Sequence, residues 1–223
     1  MAIIIPNTQT NAAIAMTNYN SSATQIFTIM CWFKITAAGS GSYMDLISIE
    51  NNTYMQIITN TLQIDYGTFN NDHLATVLTA GRWYHCAMIV VPTSTTSRQI
   101  IGYLNGQLQI NLTDTDTYSA STFISIGNSE NIPAGSHYVN PLNGLIEDVR
   151  IWTRQLTLSE IQDEMRSIVP VHKQALSIWA PFDDNKAEDK SGHGYLFTPG
   201  SSVTLGAGRS NRTWLGRGTN FIK

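Results

Sequence analysis

The sequence predicts an all-β fold, in which two antiparallel sheets pack as a sandwich with one short helix. Apolar and β-branched runs recur along the 223 residues with turn-forming residues between them, as in a chain of short strands. Asn105-Gly106 predicts a tight hairpin, because both positions of such a turn need positive φ. Hydrophobic residues make up 42% of the chain, enough for a sizeable core. Charged residues make up only 13%, so the outer faces are expected to carry mainly short polar side chains.

The predicted strands follow from these runs. In chain order they are Ala12–Met16, Ile26–Ile35, Leu46–Ile49, Tyr54–Ile58, Trp83–Val91, Ile100–Ile110 and Leu145–Trp152. Within the last of them, Val149 and Ile151 are two residues apart, so they share one strand face. A further strand is predicted over residues 175–184. It either completes the same sandwich or is the remnant of a second copy, and because too little chain follows it for a second domain we expect the former.

The helix is predicted near residues 158–167. Thr157 and Glu160 have the spacing of a capping box, in which each side chain bonds the backbone N–H of the other residue. Ile161 and Met165 follow at helical spacing and therefore predict the face of the helix that packs on a sheet.

Segments spread along the chain resemble the laminin G-like and pentraxin group of the concanavalin A-like lectin and glucanase superfamily. That group closes its sandwich with Gly-x-Ile-x-x-Val-x-x-aromatic, followed by Leu-x-x-x-Glu-Ile. The matching positions are Gly144, Ile146, Val149, Trp152, Leu156, Glu160 and Ile161. Further pieces of the pattern occur in the family's order at Phe27–Lys34, Gly81–Ala87, Gly102–Gly106 and Ile124–Gly127. The resemblance implies a jelly-roll sandwich, and such domains mostly bind ligands rather than transform them.

The predicted domain covers residues 11–208, and residues 1–10 are predicted to be an extended leader. Residues 175–194 resemble an element that opens the domain in many relatives. Their position after the helix is similar to that in laminin G-like proteins encoded by tailed phages. Residues 209–223 are predicted to form a basic, aromatic arm outside the domain.

This C-terminal arm is the candidate partner-binding segment. It contains four cations and no acidic residue. The candidate residues are Arg209, Arg212, Trp214, Arg217 and Phe221. Cations would draw the arm to an acidic partner surface, where the aromatic rings would fill pockets. The alternative is a solvated tail whose charges arose by chance.

Charge and hydropathy exclude several classes of partner. The net charge of −3 gives no general case for nucleic acid binding. The chain has no apolar run of the roughly 18 residues that a membrane-spanning helix requires. The first residues lack the positive segment and long apolar core of a secretory signal, which favours a virion protein made without export. An extracellular location is the alternative.

The sequence predicts no catalytic site. Glucanases of the resembled superfamily hold two Glu and one Asp on one strand, at alternate positions that face the substrate together. None of the six Glu of this chain is followed two residues later by Asp. Glu147 and Asp148 are adjacent, so on a regular strand they would face opposite ways. The five His show no metal-ligand spacing on a helix.

The resemblance to pentraxins implies a calcium ion held by two loops on one face of the sandwich. The corresponding residues are Glu50, Asn51, Asn128 and Glu130. Their carboxylate and amide oxygens are ligands that suit a hard cation. Aromatic residues in loops would stack on sugar rings, and Tyr54 and Tyr138 are the candidates for this ligand contact.

Together these observations predict a non-catalytic recognition or structural module. A phage virion surface protein, either a capsid decoration or a host-attachment component, is the first interpretation. A free carbohydrate-binding module or lectin is the alternative, and a glycoside hydrolase a remote one. The expected partners are other virion or surface proteins, or glycans, within an oligomer or larger assembly.

The two cysteines allow a test of strand register. Pentraxins join two strands by a disulfide that lies two residues after a Thr and two after a His. Here Cys31 is three residues after Thr28, and Cys86 is one residue after His85. In an antiparallel pair, moving one residue forward along one strand and one residue back along the other leads to another pair of directly opposite residues. We therefore expect Cys31 and Cys86 to face each other, as reduced thiols if the chain folds in a reducing cell.

Overall fold

The computed structural model of the chain describes residues 2–6, 14–17, 24–38, 43–49, 53–59, 61, 63–67, 74–115, 123–128, 140–182, 186–206 and 208. Across these residues it contains strands in two antiparallel sheets and one helix, which confirms the predicted fold class. In chain order the elements are β1 (Ala2–Ile5), β2 (Ile14–Thr17), β3 (Phe27–Ile35), β4 (Tyr43–Ile49), β5 (Thr53–Ile58), β6 (Gln63–Gly67), β7 (Leu74–Val77), β8 (Trp83–Ser94), β9 (Ser97–Leu104), β10 (Gln107–Asp114), β11 (Phe123–Ile126), β12 (Gly144–Trp152), α1 (Leu158–Arg166), β13 (Leu176–Ala180), β14 (Leu196–Pro199) and β15 (Thr204–Gly206).

The strands are divided between a large and a small sheet. The large sheet has the order β10-β9-β8-β3-β12-β1-β15, and β13 also pairs with β12. The small sheet has the order β14-β2-β11-β4-β5-β6-β7. Sequence neighbours are often not sheet neighbours, since β3 lies between β8 and β12, so the chain crosses repeatedly from one sheet to the other, as in a jelly roll. The described part of the chain contains no helix that could span a membrane.

The main core lies between the inner faces of the two sheets. Alternate residues of each strand point inward. Strand β3 contributes Ile29, Cys31 and Phe33, and β5 contributes Met55 and Ile57, all of them fully buried. A second apolar cluster covers part of the outer face of the large sheet, where α1 packs against β3, β8, β9 and β12. The helix therefore shields one outer face of the sandwich from solvent.

Strand β12 contains a bulge at Asp148 that changes which residues face the core. Asp148 has a φ of 60°, and the register between β12 and β3 shifts there. A bulge adds one residue to one strand, so the alternation of faces restarts beyond it. Ile146 and Val149 both reach the core although they are three residues apart, and Ile151 joins them as predicted. Arg150 consequently points outward, towards α1.

Arg150 is fully buried between β12, α1 and the segment that follows the helix. Its guanidinium donates to Asp148 at 2.8 and 3.0 Å, and it also pairs with Glu164 of the helix. It donates further to the carbonyl of Ser167 at 2.8 Å. Glu164 accepts the backbone N–H groups of residues 171–172 at 2.9 and 2.6 Å. These contacts, the Arg150 network, join three chain segments by charge-assisted hydrogen bonds.

The predicted capping box is present at the start of α1. The N–H of Glu160 donates to the Thr157 hydroxyl at 3.3 Å, and the N–H of Thr157 donates to the Glu160 carboxylate at 2.8 Å. Arg154 binds the same carboxylate at 2.7 Å. The hydrogen bond from Arg154, followed by that from the Thr157 backbone, lowers the pKa of Glu160 to about 2. The negative charge that favours a helix N-terminus therefore persists into strongly acidic solution.

The strands after the helix complete the same sandwich, as expected. Strand β13 pairs with β12, β14 with β2, and β15 with β1. The boundary predicted at residue 10 needs correction, because β1 lies inside the large sheet between β12 and β15. Ile3 and Ile5 have exposures of 0% and 1%, so burial of these side chains holds the N-terminal strand in the sandwich.

Asp189 organises the turn between β13 and β14. Its carboxylate accepts the backbone N–H groups of Trp179 at 3.1 Å, Ser191 at 2.9 Å and Tyr195 at 3.3 Å. It also accepts the hydroxyl of Ser191 at 2.8 Å. Gly192, with a φ of 98°, makes the sharp bend that these contacts require. Residues 189–194, which form an Asp-x-Ser-Gly-x-Gly pattern within the segment 175–194, therefore have a structural role in the turn.

Two local predictions about pairing are confirmed. Cys31 and Cys86 are direct partners in the register of β3 and β8, and their sulfur atoms are 3.5 Å apart in the core. Asn105 and Gly106, with φ of 51° and 72°, form the hairpin between β9 and β10.

We expect Arg150→Ala to lower the free energy of unfolding by roughly 3–5 kcal/mol, because it leaves two buried carboxylates without their cation. Arg154→Ala is the matched control. Its ion pair with Glu160 is partly exposed, at 25% and 21%, and such pairs contribute about 1 kcal/mol or less. Urea unfolding of both variants measures the difference. Equal losses for the two variants would contradict a dominant role for the Arg150 network.

Candidate ligand-binding face

The outer face of the small sheet is polar, whereas that of the large sheet is partly covered by α1. Asp45 pairs with Gln56, and Gln56 pairs with Asp65, so these side chains form a row across β4, β5 and β6. Their inward neighbours Met55 and Ile64 belong to the core. Alternation therefore directs this row away from the core. We call this surface the polar face.

A second row on the polar face contains small residues and one aromatic ring. Ser125, Ser48, Tyr54 and Gly67 pair in that order across β11, β4, β5 and β6. Tyr54 is half-buried and is flanked on its two sides by Ser48 and Gly67. Tyr54, predicted as a sugar-stacking residue, thus lies on the polar face, two residues from Gln56 along β5.

The polar side chains themselves are nearly inaccessible. Asp45 and Asp65 have exposures of 0% and 1%, and Gln56 of 8%. Gln56 donates its side-chain N–H to the Asp65 carboxylate at 2.7 Å. Burial of polar groups costs free energy unless hydrogen bonds compensate for it. The accessible part of this face is formed by half-buried residues around the row, among them Tyr54 and Tyr43.

Asn128 is the one predicted calcium ligand within the described residues. It is fully buried, and its side-chain oxygen accepts the backbone N–H of Asn140 at 2.8 Å. The carbonyl of Asn140 accepts the N–H of Asp45 at 2.8 Å, and the N–H of Gly127 donates to Leu46 at 2.8 Å. Asn128 therefore lies near the start of β4 and holds the segment that leads into β12. Its amide nitrogen, which has no hydrogen-bond partner in the described part of the chain, cannot ligate a cation.

The other predicted site residues lie outside the described residues. They are Glu50, Asn51 and Glu130 of the calcium set, Tyr138 of the sugar contact, and Arg209, Arg212, Trp214, Arg217 and Phe221 of the arm. Among the described residues, no three His, Cys, Asp or Glu side chains are grouped as a metal site. The side-chain oxygen of Asn128 already accepts one hydrogen bond, so only its remaining lone pair could bind calcium. Because the other predicted ligands are not described, calcium binding stays a prediction.

Sequence reasoning missed the row of Asp45, Gln56 and Asp65. A signal was present, since each is a polar residue between two apolar ones in a strand. Their adjacency, however, depends on how β4, β5 and β6 pair, and β6 was not predicted. His85, one of the five histidines without metal-ligand spacing, is buried at 1% exposure against the ring of Trp32, with ring centroids 5.2 Å apart, as in a core histidine.

Asp148 and Glu147 offer no catalytic pair. Asp148 accepts hydrogen bonds from Arg150 and, at 3.2 Å, from the indole of Trp179. Glu147 is fully buried. Both carboxylates lie in β12 of the large sheet, on the opposite sheet from Tyr54.

Comparison with known proteins supports the fold. A laminin G-like family model, described as the concanavalin A-like lectin/glucanases superfamily, matches residues 8–162. No functionally curated protein sequence matches the chain. Residues 8–162 include β2 to β12 and the first half of α1, and so contain the whole polar face apart from the edge strand β14.

Solved structures with the same fold include two proteins of different organisms. One is a Bacteroides ovatus protein to which carbohydrate binding has been ascribed, with a TM-score of 0.57 and 15% identity. The alignment covers 86% of this chain and 59% of that one, so this chain spans little more than half of its length. The other is a heptameric SAP-like pentraxin from Limulus polyphemus, with a TM-score of 0.59, 14% identity and coverage of 90% and 95%. At these identities the likeness is one of fold.

Calcium is tested through stability, because an ion that binds only the folded state stabilises it by mass action. If Glu50, Asn51, Asn128 and Glu130 hold calcium, a concentration of 100 times Kd adds about 2.7 kcal/mol to the free energy of unfolding. Thermal melting with calcium or with a chelator measures this. Glu130→Gln should abolish the response, whereas Asn128→Ala should lower stability even with chelator present. Identical melting in calcium and chelator would show that these loops are merely polar.

Proposed function

The chain belongs to the concanavalin A-like lectin/glucanases superfamily, and on that premise we propose that it is a non-catalytic carbohydrate-binding module. The observation that carries the proposal is the polar face of the small sheet, with Tyr54 among small neighbours. The ascribed carbohydrate binding of the Bacteroides ovatus protein is compatible with it.

The chemistry of this face suits a sugar. A sugar ring offers an apolar C–H face, which packs on an aromatic ring, and hydroxyl groups that need hydrogen-bonding partners. Tyr54 supplies a half-buried ring, and its partners on the two neighbouring strands are the small residues Ser48 and Gly67. Gln56 and Asp65 form a fixed polar layer under this surface. A binding site of this type is largely preformed, which limits the entropy lost on binding.

The same geometry argues against glycoside hydrolysis. Retaining glycosidases need two carboxyl groups about 5–5.5 Å apart and inverting ones about 6.5–9.5 Å. Asp45 and Asp65 lie on the polar face with Gln56 on the strand between them, and Gln56 donates a hydrogen bond to Asp65. With exposures of 0% and 1%, neither carboxylate is accessible to a glycosidic bond. A binding role is therefore favoured over the remote alternative of a hydrolase.

We expect Tyr54→Ala to lower the affinity for a glycan by about two- to twelvefold, since loss of an aromatic contact costs roughly 0.5–1.5 kcal/mol. A glycan array identifies the ligand, and titration calorimetry measures the Kd. Tyr54→Phe keeps the ring and should retain most of the affinity. Tyr103→Ala, which removes a half-buried ring from the outer face of the large sheet, is the control and should leave the Kd unchanged. Failure of every array glycan to bind would overturn the proposed function.

A second proposal concerns where the module acts. The scarcity of charged residues and the basic, aromatic composition of residues 209–223 favour a component of a larger assembly, such as the surface of a phage virion. An extracellular lectin is the alternative. The pentraxin neighbour is heptameric, which is compatible with an oligomer of this chain. Within such an assembly, residues 209–223 would contact an acidic partner surface through their cations and aromatic rings.

Deletion of residues 209–223 should leave the melting temperature unchanged and weaken assembly, more strongly at high salt, because the remaining charge contacts are screened. Native mass spectrometry measures the assembly. A variant with Arg209, Arg212 and Arg217 changed to Gln separates charge from aromatic contacts, and its assembly should be weakened less than by the deletion, because Trp214 and Phe221 remain. A lower melting temperature with normal assembly would show that the arm packs on its own sandwich.

A further inference from the structure

The thiol pair of Cys31 and Cys86 is a feature that carbohydrate binding does not explain. The two residues are direct partners in the register of β3 and β8, in the middle of the large sheet. Their sulfur atoms are 3.5 Å apart, and both side chains are fully buried in the core between the sheets. They are also the only two cysteines of the chain. Neither has another cysteine with which to pair.

The geometry of this pair is compatible with a covalent bond. Residues directly opposite in an antiparallel pair have Cα atoms about 4.5 or 5.5 Å apart, depending on the hydrogen-bonding type of the pair. Both values lie within the range of roughly 4.4–6.8 Å that disulfides accept. Small side-chain rotations would have to bring the sulfur atoms from 3.5 Å to about 2.0 Å.

In the folded protein, oxidation of the two thiols is limited by the access of an oxidant to their sulfur atoms. A disulfide oxidant must be attacked by a thiolate, and it must reach the sulfur to form a mixed disulfide. Both thiols have an exposure of 0%. Burial also raises the pKa of the Cys31 thiol well above its usual value, so little thiolate is present. The unfolded chain has neither obstacle.

We propose that Cys31 and Cys86 form an optional cross-strand bond whose state is set while the chain folds and is retained afterwards. A chain that folds with a disulfide oxidant such as oxidised glutathione closes the bond, and a chain that folds in reducing surroundings keeps two thiols. The redox state of the mature protein therefore records the compartment in which it folded.

The closing reaction is an ordinary exchange in two steps. The thiolate of one cysteine attacks oxidised glutathione, which forms a mixed disulfide and releases one glutathione thiolate. The second cysteine thiolate then attacks the protein sulfur of the mixed disulfide and releases the second glutathione. The protein loses two electrons and two protons, and one oxidised glutathione becomes two reduced molecules.

The bond should stabilise the fold, because it closes a long loop in the unfolded chain. The two cysteines are 55 positions apart, and the entropy removed from the unfolded state grows with loop length. For a chain of this size, we expect the melting temperature to rise by roughly 5–15 °C.

The experiment compares two orders of addition of the full chain. In the first, denatured reduced protein is refolded with oxidised and reduced glutathione. In the second, protein already folded under reducing conditions receives the same mixture. Intact mass and melting temperature are followed in both. We expect a loss of about 2 Da and the higher melting temperature in the first sample only, as the exchange chemistry and burial require.

Two results would overturn the proposal. If the refolded protein keeps two free thiols, the pair does not close. If the folded protein oxidises as fast as the refolding chain, its state is not retained. Cys86→Ala, which cannot form the bond, controls for glutathione adducts. Reduction of the bonded protein in denaturant, followed by refolding without oxidant, should return the lower melting temperature.

Discussion

The bulge at Asp148 and the Arg150 network beside it set the geometry on which the rest of the sandwich depends. A regular β12 would direct Val149 away from the core and Arg150 into it, where a cation among aliphatic side chains would be strongly unfavourable. The positive φ of Asp148 reverses this order and aims its carboxylate at the guanidinium two residues later. Glu164 then fixes α1 against the sheet, and its hydrogen bonds to residues 171–172 fix the segment that leads to β13. One unusual backbone conformation thus positions the helix and the strands that follow it.

Because α1 packs on the large sheet, the two outer faces of the sandwich differ in how much of their surface is covered. On the large sheet, α1 buries an apolar patch that includes Trp152, Leu156 and Ile161. Such a patch would otherwise be a liability for solubility. On the small sheet, no described helix covers the outer face, and its side chains are polar. The helix therefore leaves the small sheet as the face for which we propose recognition, because polar side chains and the rings of Tyr43 and Tyr54 distinguish among ligands by hydrogen bonding and shape.

The parts of the fold that local pattern determines were predictable from sequence. Strand β3 alternates apolar residues, the capping box has its spacing within four residues, and Asn105-Gly106 has one favoured turn. Strand β6 was not predicted, although its polar and apolar residues alternate, because the run is only five residues long and ends in glycine. The bulge at Asp148 was also missed, since its cause is a set of contacts to Arg150 and Trp179 that only the folded chain brings together. The same limit applies to the site. Tyr54 could be suggested as an exposed aromatic ring, but the hydrogen bond of Asn128 to Asn140, across twelve positions, could not be foreseen.

The pairing of β1 with β15 has a consequence for how this domain can be connected to other polypeptides. Ala2 lies opposite Gly206, so the first and last described strands are neighbours in the large sheet, and these two residues are about one strand spacing apart. Domains whose ends are so close are readily inserted into a surface loop of a host protein, or reopened at a new position after their ends are joined. The two points of a host loop that are joined to this sandwich need to be only about one strand spacing apart. A sandwich with this strand order is therefore suited to insertion into a host loop, which would hold it at two neighbouring points.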